Sequence, residues 1–335
     1  MADAKLPVVL LMGPTGAGKT QLSFELASEF PVEIVSVDSA MVYRGMDVGT
    51  AKPTPAERAR VPHHLIDIRD PAESYSAGQF IRDARVAIDA VHAAGRVPLL
   101  VGGTMLYFNS LLRGLAELPG GDAAVRAQID TQAASKGWPA LHAELASVDP
   151  AAAARIHPND PQRIQRALEV YRVTGVAISA LQARKRSQLD AFHTLSLIVD
   201  IPERSALHER IERRLLAMMS DGFLEEVTRL RARTDLHVDM PAMRAVGYRQ
   251  LWGHLDGAYG LDQGVARAAA ATRQLAKRQL TWLRALASTN HSQRTQGLQS
   301  SVGSRSDMHW IDAGTTDAVR TATALVRTLA GPMIS

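Results

Sequence analysis

The sequence has 335 residues, of which 46% are hydrophobic, so it can bury a sizeable core in one large domain with an insertion or in two domains. It contains no cysteine, which excludes disulfide bridges, thiolate zinc sites and a cysteine nucleophile. The net charge is only +4, and no stretch approaches the roughly 20 apolar residues that span a bilayer, so we expect a cytosolic protein without a membrane segment.

The chain opens with a predicted buried strand at 8–12, followed by a glycine-rich loop and a helical pattern to residue 30. The loop matches G-x-x-x-x-G-K-[ST] at every fixed position, with the residues Gly13, Pro14, Thr15, Gly16, Ala17, Gly18, Lys19 and Thr20. Unpaired N–H groups at the helix amino terminus, the Lys19 ammonium and a Thr20 hydroxyl able to ligate Mg²⁺ all favour a bound phosphate. The strand and helix on either side favour this interpretation over a chance glycine turn.

A second strand is predicted at 33–37, and Asp38 follows it directly. An apolar strand that ends in aspartate is typical of the Mg²⁺ ligand in nucleotide hydrolases. Taken with the phosphate loop, it is compatible with an ATP-binding kinase or ATPase.

Strand and helix signals continue to alternate up to about residue 115. Ser76 and Gln79 have the spacing of a capping box at the start of a helix, and residues 97–101 read as a further buried strand. Strands separated by helices predict an α/β fold of the P-loop NTPase kind, in which helices flank a parallel sheet.

The alternation stops at 118–121, where the sequence reads Leu-Pro-Gly-Gly and an alanine- and arginine-rich helical stretch begins. A strand signal returns at 195–201. We therefore expect an all-helical insertion at 118–194 within a P-loop-like catalytic core made of 1–117 and 195–335. The Ser/Gln/Thr/Gly-rich tract at 288–306 is predicted to be a flexible excursion.

Basic residues are concentrated in two stretches. Residues 155–186 contain seven Arg or Lys against two acids, and residues 266–306 contain seven and no acid. This asymmetry is compatible with a polyanionic partner, and on charge alone it is equally compatible with solvated helix faces.

Residues 38–53, which read DSAMVYRGMDVGTAKP, closely resemble the signature of the tRNA dimethylallyltransferases, the IPP transferase family. Five further blocks are similar to that family and follow in family order: HHLID at 63–67, GGTMLY at 102–107, NDPQRIQRALE at 159–169, MRAVGY at 243–248 and KRQLTWLR at 277–284. The resemblance implies transfer of a dimethylallyl group from dimethylallyl diphosphate to N6 of the adenosine just 3′ of the anticodon of tRNA. The phosphate loop would then hold diphosphate with Mg²⁺ instead of ATP, in a protein that we expect to be monomeric.

The resemblance also implies roles for single residues. Asp38 is the candidate base for the N6 proton, although a loop-ordering or Mg²⁺-ligating role is the alternative. Thr104 is placed at the junction of the substrates, where it could also cap a helix, and Lys19 completes the catalytic set with its charge. The residues implied in tRNA binding are Asp38, Ser39, Ala40, Met41, Thr104, Arg126, Gln162, Arg163, Ile164, Gln165, Arg166, Met243, Arg244, Ala245, Val246, Gly247, Tyr248, Lys277, Arg278, Gln279, Leu280, Thr281, Trp282, Leu283 and Arg284.

Two other functions fit part of the sequence. A small-molecule kinase using ATP and Mg²⁺ explains the phosphate loop and Asp38, but it leaves the two basic stretches without a task. A non-catalytic RNA-binding ATPase module is the third interpretation. Label transfer from dimethylallyl diphosphate to tRNA without ATP distinguishes the first function from both.

Overall fold

The computed structural model describes residues 5–116, 118–183, 187–295 and 307–334. These residues form six strands, which are β1 (Pro7–Met12), β2 (Val32–Val37), β3 (His63–His64), β4 (Val97–Gly102), β5 (His193–Asp200) and β6 (Asp307–Asp312). They make one sheet in the order β3-β2-β4-β1-β5-β6, and every neighbouring pair is parallel. The predicted α/β fold with a parallel sheet is confirmed.

The helices separate and follow these strands along the chain. They are α1 (Lys19–Glu29), α2 (Pro55–Arg60), α3 (Ala77–Ala93), α4 (Met105–Arg113), α5 (Ala123–Lys136), α6 (Trp138–Val148), α7 (Pro150–Ala153), α8 (Pro161–Thr174), α9 (Ile178–Gln182), α10 (Arg204–Ser220), α11 (Phe223–Arg231), α12 (Tyr248–Leu255), α13 (Leu261–Thr295) and α14 (Ala318–Ile334). A short 3₁₀ turn covers Ala242–Arg244. The capping box predicted at the start of α3 is present, because Ser76 and Gln79 bond reciprocally.

The four inner strands, β2, β4, β1 and β5, are almost entirely buried, as expected for largely apolar strands of a parallel sheet covered on both faces. All six residues of β1 are buried, and β1 lies between β4 and β5. Val9 and Leu11 pack with residues of α1 and α14 in one hydrophobic cluster, and Val8 and Leu10 alternate with them and so point to the opposite face. Because β2, β4 and β1 are parallel neighbours, their carboxyl ends lie side by side at one edge of the sheet.

A second hydrophobic cluster joins the helices that follow β5. It contains buried residues of α10, α11, α12 and α13, among them the large rings of Phe223 and Tyr248, which meet edge to face. Buried Val42, Tyr43 and Met46, from the segment after β2, belong to the same cluster. The segment that follows Asp38 is therefore packed against the helical part of the core.

The described residues form two compact units, one from 5–109 with 188–334 and the other from 110–187, apart from the gaps given above. The smaller unit contains α5 to α9 around its own core of Ile129, Leu141, Leu145, Ile164 and Leu168. The insertion expected from the sequence was 118–194. Thr194 instead lies within β5, because that strand begins at His193 and pairs with β1.

The tract at 288–306 differs from its prediction in part. Residues 288–295 continue α13 as regular helix, so the predicted flexible excursion does not begin at 288. Residues 296–306 lie outside the described residues. The composition of 288–295 is polar, and a polar segment that extends a long, well-nucleated helix can stay helical without a buried face.

Candidate active site

The phosphate loop connects the end of β1 to the start of α1. Gly13 is required because a Cβ at that position would lie 2.4 Å from the carbonyl oxygen of Val199. Gly16 and Gly18 have φ values of 82° and 94°, a conformation that side chains other than hydrogen disfavour. Since α1 begins at Lys19, its unpaired N–H groups face the loop and form an anion site.

Two cations lie at this loop. The ammonium of Lys19 donates a hydrogen bond to the carbonyl of Pro14 at 2.8 Å. Burial, reinforced by the positive charge of Arg214 and opposed by Asp38, lowers the pKa of Lys19 to about 7. Burial also lowers the pKa of the Arg214 guanidinium, while Asp38 opposes that shift. The surroundings therefore disfavour the positive charge of both side chains, and a bound anion would stabilise it.

Arg214, on α10, was missed by the sequence reasoning. Its guanidinium donates to the carbonyl of Thr50 at 3.4 Å, and it takes part in none of the ion pairs found among the described residues. Arg214 is partly buried beside Lys19, whereas Arg210 and Arg213 on the same helix are exposed, and the local sequence carries no signal of this difference.

Asp38 follows β2 and is only partly buried. Its Oδ1 accepts hydrogen bonds from the N–H groups of Ala40 at 2.8 Å and Met41 at 3.2 Å. No hydrogen bond to Oδ2 is found among the described residues. One oxygen therefore orders the following turn, and the other can receive a proton or a cation.

Thr104 follows β4, immediately before α4. Its Oγ1 accepts a hydrogen bond from the N–H of Ser39 at 3.0 Å and donates to the Ser39 hydroxyl at 3.3 Å. The backbone N–H of Thr104 donates to the carbonyl of Val37 at 3.2 Å. The structure thus brings Thr104 against the residue that follows Asp38, and its hydroxyl bonds to that residue.

Gln279, on α13, joins the phosphate loop to the loop before Thr104. Its side-chain oxygen accepts from the N–H of Thr15 at 2.9 Å, and its side-chain nitrogen donates to the carbonyl of Gly103 at 2.7 Å. The residue is 7% exposed. Its amide is therefore engaged by two loops of the protein, while the residue also lines the cavity, so the tRNA contact expected for this side chain stays a prediction.

One cavity of about 620 Å³ is lined by Thr15, Lys19 and Thr20 of the phosphate loop and by the predicted catalytic residues Asp38 and Thr104. Lys19, Asp38, Thr104 and Arg214 line it, and apolar groups including Met41, Val246 and Trp282 line it as well. A polar anion site and apolar walls in one cavity suit a ligand with a charged head and a hydrocarbon part.

The remaining residues predicted to bind tRNA in the unit formed by 5–109 and 188–334 divide into exposed and buried groups. Arg244, Lys277, Arg278, Thr281, Trp282 and Arg284 are exposed, whereas Met243, Gly247, Tyr248, Leu280 and Leu283 are buried. Ser39 is exposed, and Ala40, Met41, Ala245 and Val246 are intermediate. Met243, Leu280 and Leu283 pack in the core, so direct RNA contact through their side chains is a wrong expectation. Gly247 and Tyr248 are buried but line the cavity, so their contact with the substrate stays a prediction. The exposed side chains can meet a partner.

In the smaller unit, Gln162 and Arg163 are exposed on α8, as helix periodicity predicts. Ile164 is fully buried in the core, so the tRNA contact expected of its side chain is also corrected. Gln165 donates to Asp130 at 2.6 Å.

Arg126 and Arg166 both bond to Glu169, whose side chain is completely buried. Arg126 keeps 45% of its side chain exposed, and Arg166 keeps 29%. Buried Glu169 therefore fixes the orientation of both arginines without removing them from the surface.

Metal-binding groups are sparse. The described part of the chain has no cluster of three or more His, Asp or Glu side chains arranged to hold an ion. Thr20 is exposed and lines the cavity. His64 pairs with Glu33 at 2.7 Å. Across the described residues, no helix is long and apolar enough to cross a membrane.

Comparison with known proteins matches the family model described as IPP transferase to residues 41–286 of this chain. The chain is 59% identical over 285 residues to the tRNA dimethylallyltransferase of Methylococcus capsulatus, which covers 85% of this chain and 91% of that protein. It is 58% identical over 283 residues to the tRNA dimethylallyltransferase of Bordetella petrii, with 83% and 90% covered.

Solved structures are similar over nearly the whole chain. The full-length tRNA isopentenylpyrophosphate transferase of Bacillus halodurans is 33% identical, with a TM-score of 0.66 and 98% of each chain covered. A eukaryotic dimethylallyltransferase acting on tRNA is 26% identical, with a TM-score of 0.79, and the match covers 98% of this chain and 79% of that one. The similarity in sequence and in structure thus extends across the chain.

Proposed function

The chain belongs to the IPP transferase family, and from that premise we propose that it transfers a dimethylallyl group from dimethylallyl diphosphate to N6 of the adenosine 3′ of the tRNA anticodon. It is a transferase that prenylates tRNA, like the related proteins that are named tRNA dimethylallyltransferase. The finer assignment of donor and acceptor atom rests on one observation: the phosphate loop, Asp38 and Thr104 line the same cavity.

The phosphate loop would hold the diphosphate of the donor. Its backbone N–H groups, Lys19 and Arg214 supply positive potential where the leaving group gains negative charge. A bound diphosphate would also favour the charged form of Lys19, whose pKa is otherwise lowered to about 7 chiefly by burial. The feature that supports an anionic ligand here is the presence of two cations whose positive charge the protein itself does not fully neutralise.

Mg²⁺ fits the available donors only as an ion held largely through phosphate oxygens. The Thr20 hydroxyl faces the cavity, and the residues described offer no preformed carboxylate cluster for an all-protein site. When bound, the ion would neutralise part of the charge on the diphosphate. We therefore propose Mg²⁺ with Thr20 as its protein ligand.

Asp38 is proposed as the base. The N6 lone pair forms a bond to C1 of the dimethylallyl group while the bond from C1 to the diphosphate oxygen breaks, and the N6 proton passes to the carboxylate. The lone pair of N6 is delocalised into the adenine ring, so removing its proton as the new bond forms lowers the barrier. The Oδ2 atom is suited to this because Oδ1 already accepts two backbone N–H groups.

The acceptor adenosine is stacked in the anticodon loop and must leave the stack to enter the cavity. Exposed Arg244, Lys277, Arg278 and Arg284 are proposed to position the RNA through its phosphates. Exposed Arg163, with Arg126 and Arg166 held by Glu169, is proposed to do so from the smaller unit. A tRNA substrate argues for a cytoplasmic location, and the monomeric state stays a prediction.

The proposal is tested with unmodified tRNA and labelled dimethylallyl diphosphate, with and without ATP. We expect label on the RNA with Mg²⁺ and without ATP; an absolute requirement for ATP would contradict the proposal. Asp38→Asn retains the oxygen that orders the turn but not the base, so we expect transfer to fall by about a hundredfold or more while tRNA binding is retained. Transfer at a near wild-type rate in this variant would overturn the role of Asp38.

A further inference from the structure

The Gln279 carboxamide has one orientation that satisfies both of its partners. The Thr15 N–H can only donate and the Gly103 carbonyl can only accept, so Oε1 must face Thr15 and Nε2 must face Gly103. The three segments that meet here are remote in sequence, since Gln279 follows Thr15 by 264 positions and Gly103 by 176. One side chain therefore sets the spacing between the phosphate loop and the loop that leads to Thr104.

The glycine at 103 agrees with this arrangement. A Cβ there would lie 2.5 Å from Nε2 of Gln279 and 3.3 Å from the carbonyl oxygen of Gly13. Its φ is not in the left-handed region, so backbone conformation does not explain the glycine. Gly103 is needed because the amide of Gln279 and the phosphate loop both approach it closely.

We propose that Gln279 is a positioning residue for the donor: it holds the phosphate loop in register with Thr104, so that the diphosphate and the reacting carbon are presented to Asp38 together. This inference rests on the proposed function. It places Gln279 on the donor side of the reaction, whereas its neighbours Lys277 and Arg278 on the same helix are exposed and are proposed to contact the RNA.

The test uses Gln279→Met, which keeps the length of the side chain and removes both hydrogen bonds. The matched control is Gln274→Met, the same change at an exposed position of the same helix. Loss of two hydrogen bonds predicts that the KM for dimethylallyl diphosphate rises by about tenfold to a hundredfold, with the KM for tRNA unchanged. Gln274→Met should leave both constants at wild-type values.

A second variant keeps Gln279 and displaces its amide. Gly103→Ala introduces the Cβ that would lie 2.5 Å from Nε2, and we expect the same selective rise in the KM for the donor. This variant tests the inference even if Gln279→Met does not fold. An equal rise in the KM for tRNA, or an unchanged KM for the donor in a folded variant, overturns the positioning role.

Inorganic diphosphate with Mg²⁺ separates this inference from the proposed function. Its protection of the protein against thermal unfolding should be smaller in Gln279→Met and Gly103→Ala than in the wild type and in Gln274→Met. Equal protection in all four proteins contradicts the positioning role whether or not transfer occurs. Absence of label transfer by the wild-type protein contradicts the proposed function alone.

Discussion

The hydroxyl of Tyr248 donates a hydrogen bond to the buried carboxylate of Glu226 at 2.5 Å. The same carboxylate accepts the backbone N–H groups of Asp47, Val48 and Gly49 at 2.8, 2.8 and 3.1 Å. Burial first, and then the charge of Glu226, raises the pKa of Tyr248, so the phenol keeps its proton and remains a donor. Glu226 therefore joins two walls of the cavity, Gly49 and Tyr248.

Replacement of Glu226 should be one of the most destabilising single changes in the chain. Glu226→Ala leaves four donors without their acceptor, and we expect the free energy of unfolding to fall by about 3 kcal/mol or more. Tyr248→Phe removes one donor and should cost about 1 kcal/mol. Urea unfolding measures both, and Glu225→Ala, at an exposed position of the same helix, is the control. If the free energy of unfolding falls no further in Glu226→Ala than in Glu225→Ala, the buried carboxylate does not stabilise the segment 47–49.

Arg214 should act on the donor. Arg214→Met removes a partly buried cation from the anion site, so we expect kcat/KM for dimethylallyl diphosphate to fall by about tenfold to a hundredfold. Arg214→Lys keeps the charge without the planar guanidinium and should recover part of the loss. Steady-state kinetics compare these with Arg213→Met, at an exposed neighbouring position. If Arg214→Met and Arg213→Met have the same kinetics, Arg214 has no role in donor binding.

Thr104 should matter through its hydroxyl. Thr104→Val keeps the shape but loses the bonds to Ser39, and we expect kcat to fall by about tenfold or more. Thr104→Ser keeps the hydroxyl and should remain within about threefold of the wild type. Single-turnover transfer of label to tRNA measures the step directly. Equal rates for the valine and serine variants would exclude a role for the hydroxyl.

The surroundings of Glu169 predict that the smaller unit loses stability in acid. Burial raises the pKa of its carboxyl, but hydrogen bonds from Arg126, Arg166 and the backbone of Asp122 outweigh this and leave the pKa below 4.5. The stability it contributes is complete above the unfolded pKa of 4.5 and is lost as the pH falls through the lower folded value.

Hydrogen exchange of peptides from 110–187 measures this contribution. Wild-type protein should be better protected than Glu169→Gln at pH 7, and the difference should shrink below about pH 4. Glu144→Gln is the control, because Glu144 pairs with Arg172 at the surface, where ion pairs contribute little. A difference between wild type and Glu169→Gln that does not change with pH would mean that the charge of Glu169 is not what stabilises the unit.

Features that depend on residues adjacent in the chain could be predicted from the sequence. The apolar run, the glycines and Lys19 identify the phosphate loop because strand, turn and helix amino terminus are consecutive in the chain. The alternation of strands and helices predicts a parallel sheet for the same reason, and the motif blocks identify the family. Periodicity also placed Gln162 and Arg163 correctly on the exposed side of α8.

Tertiary structure alone decided which of these residues meet. Motif membership assigned Leu280, Leu283 and Ile164 to RNA contact, but a motif does not distinguish the inward from the outward face, and the structure buries all three side chains. Arg214 had no local signal, because its burial beside Lys19 depends on how α10 packs. Thr15 and Gln279 pair across 264 positions, a contact that arises only when α13 folds against the end of the sheet. The phosphate loop could be identified from its own residues, whereas its spacing from Thr104 depends on the side chain of Gln279, which is remote in the sequence.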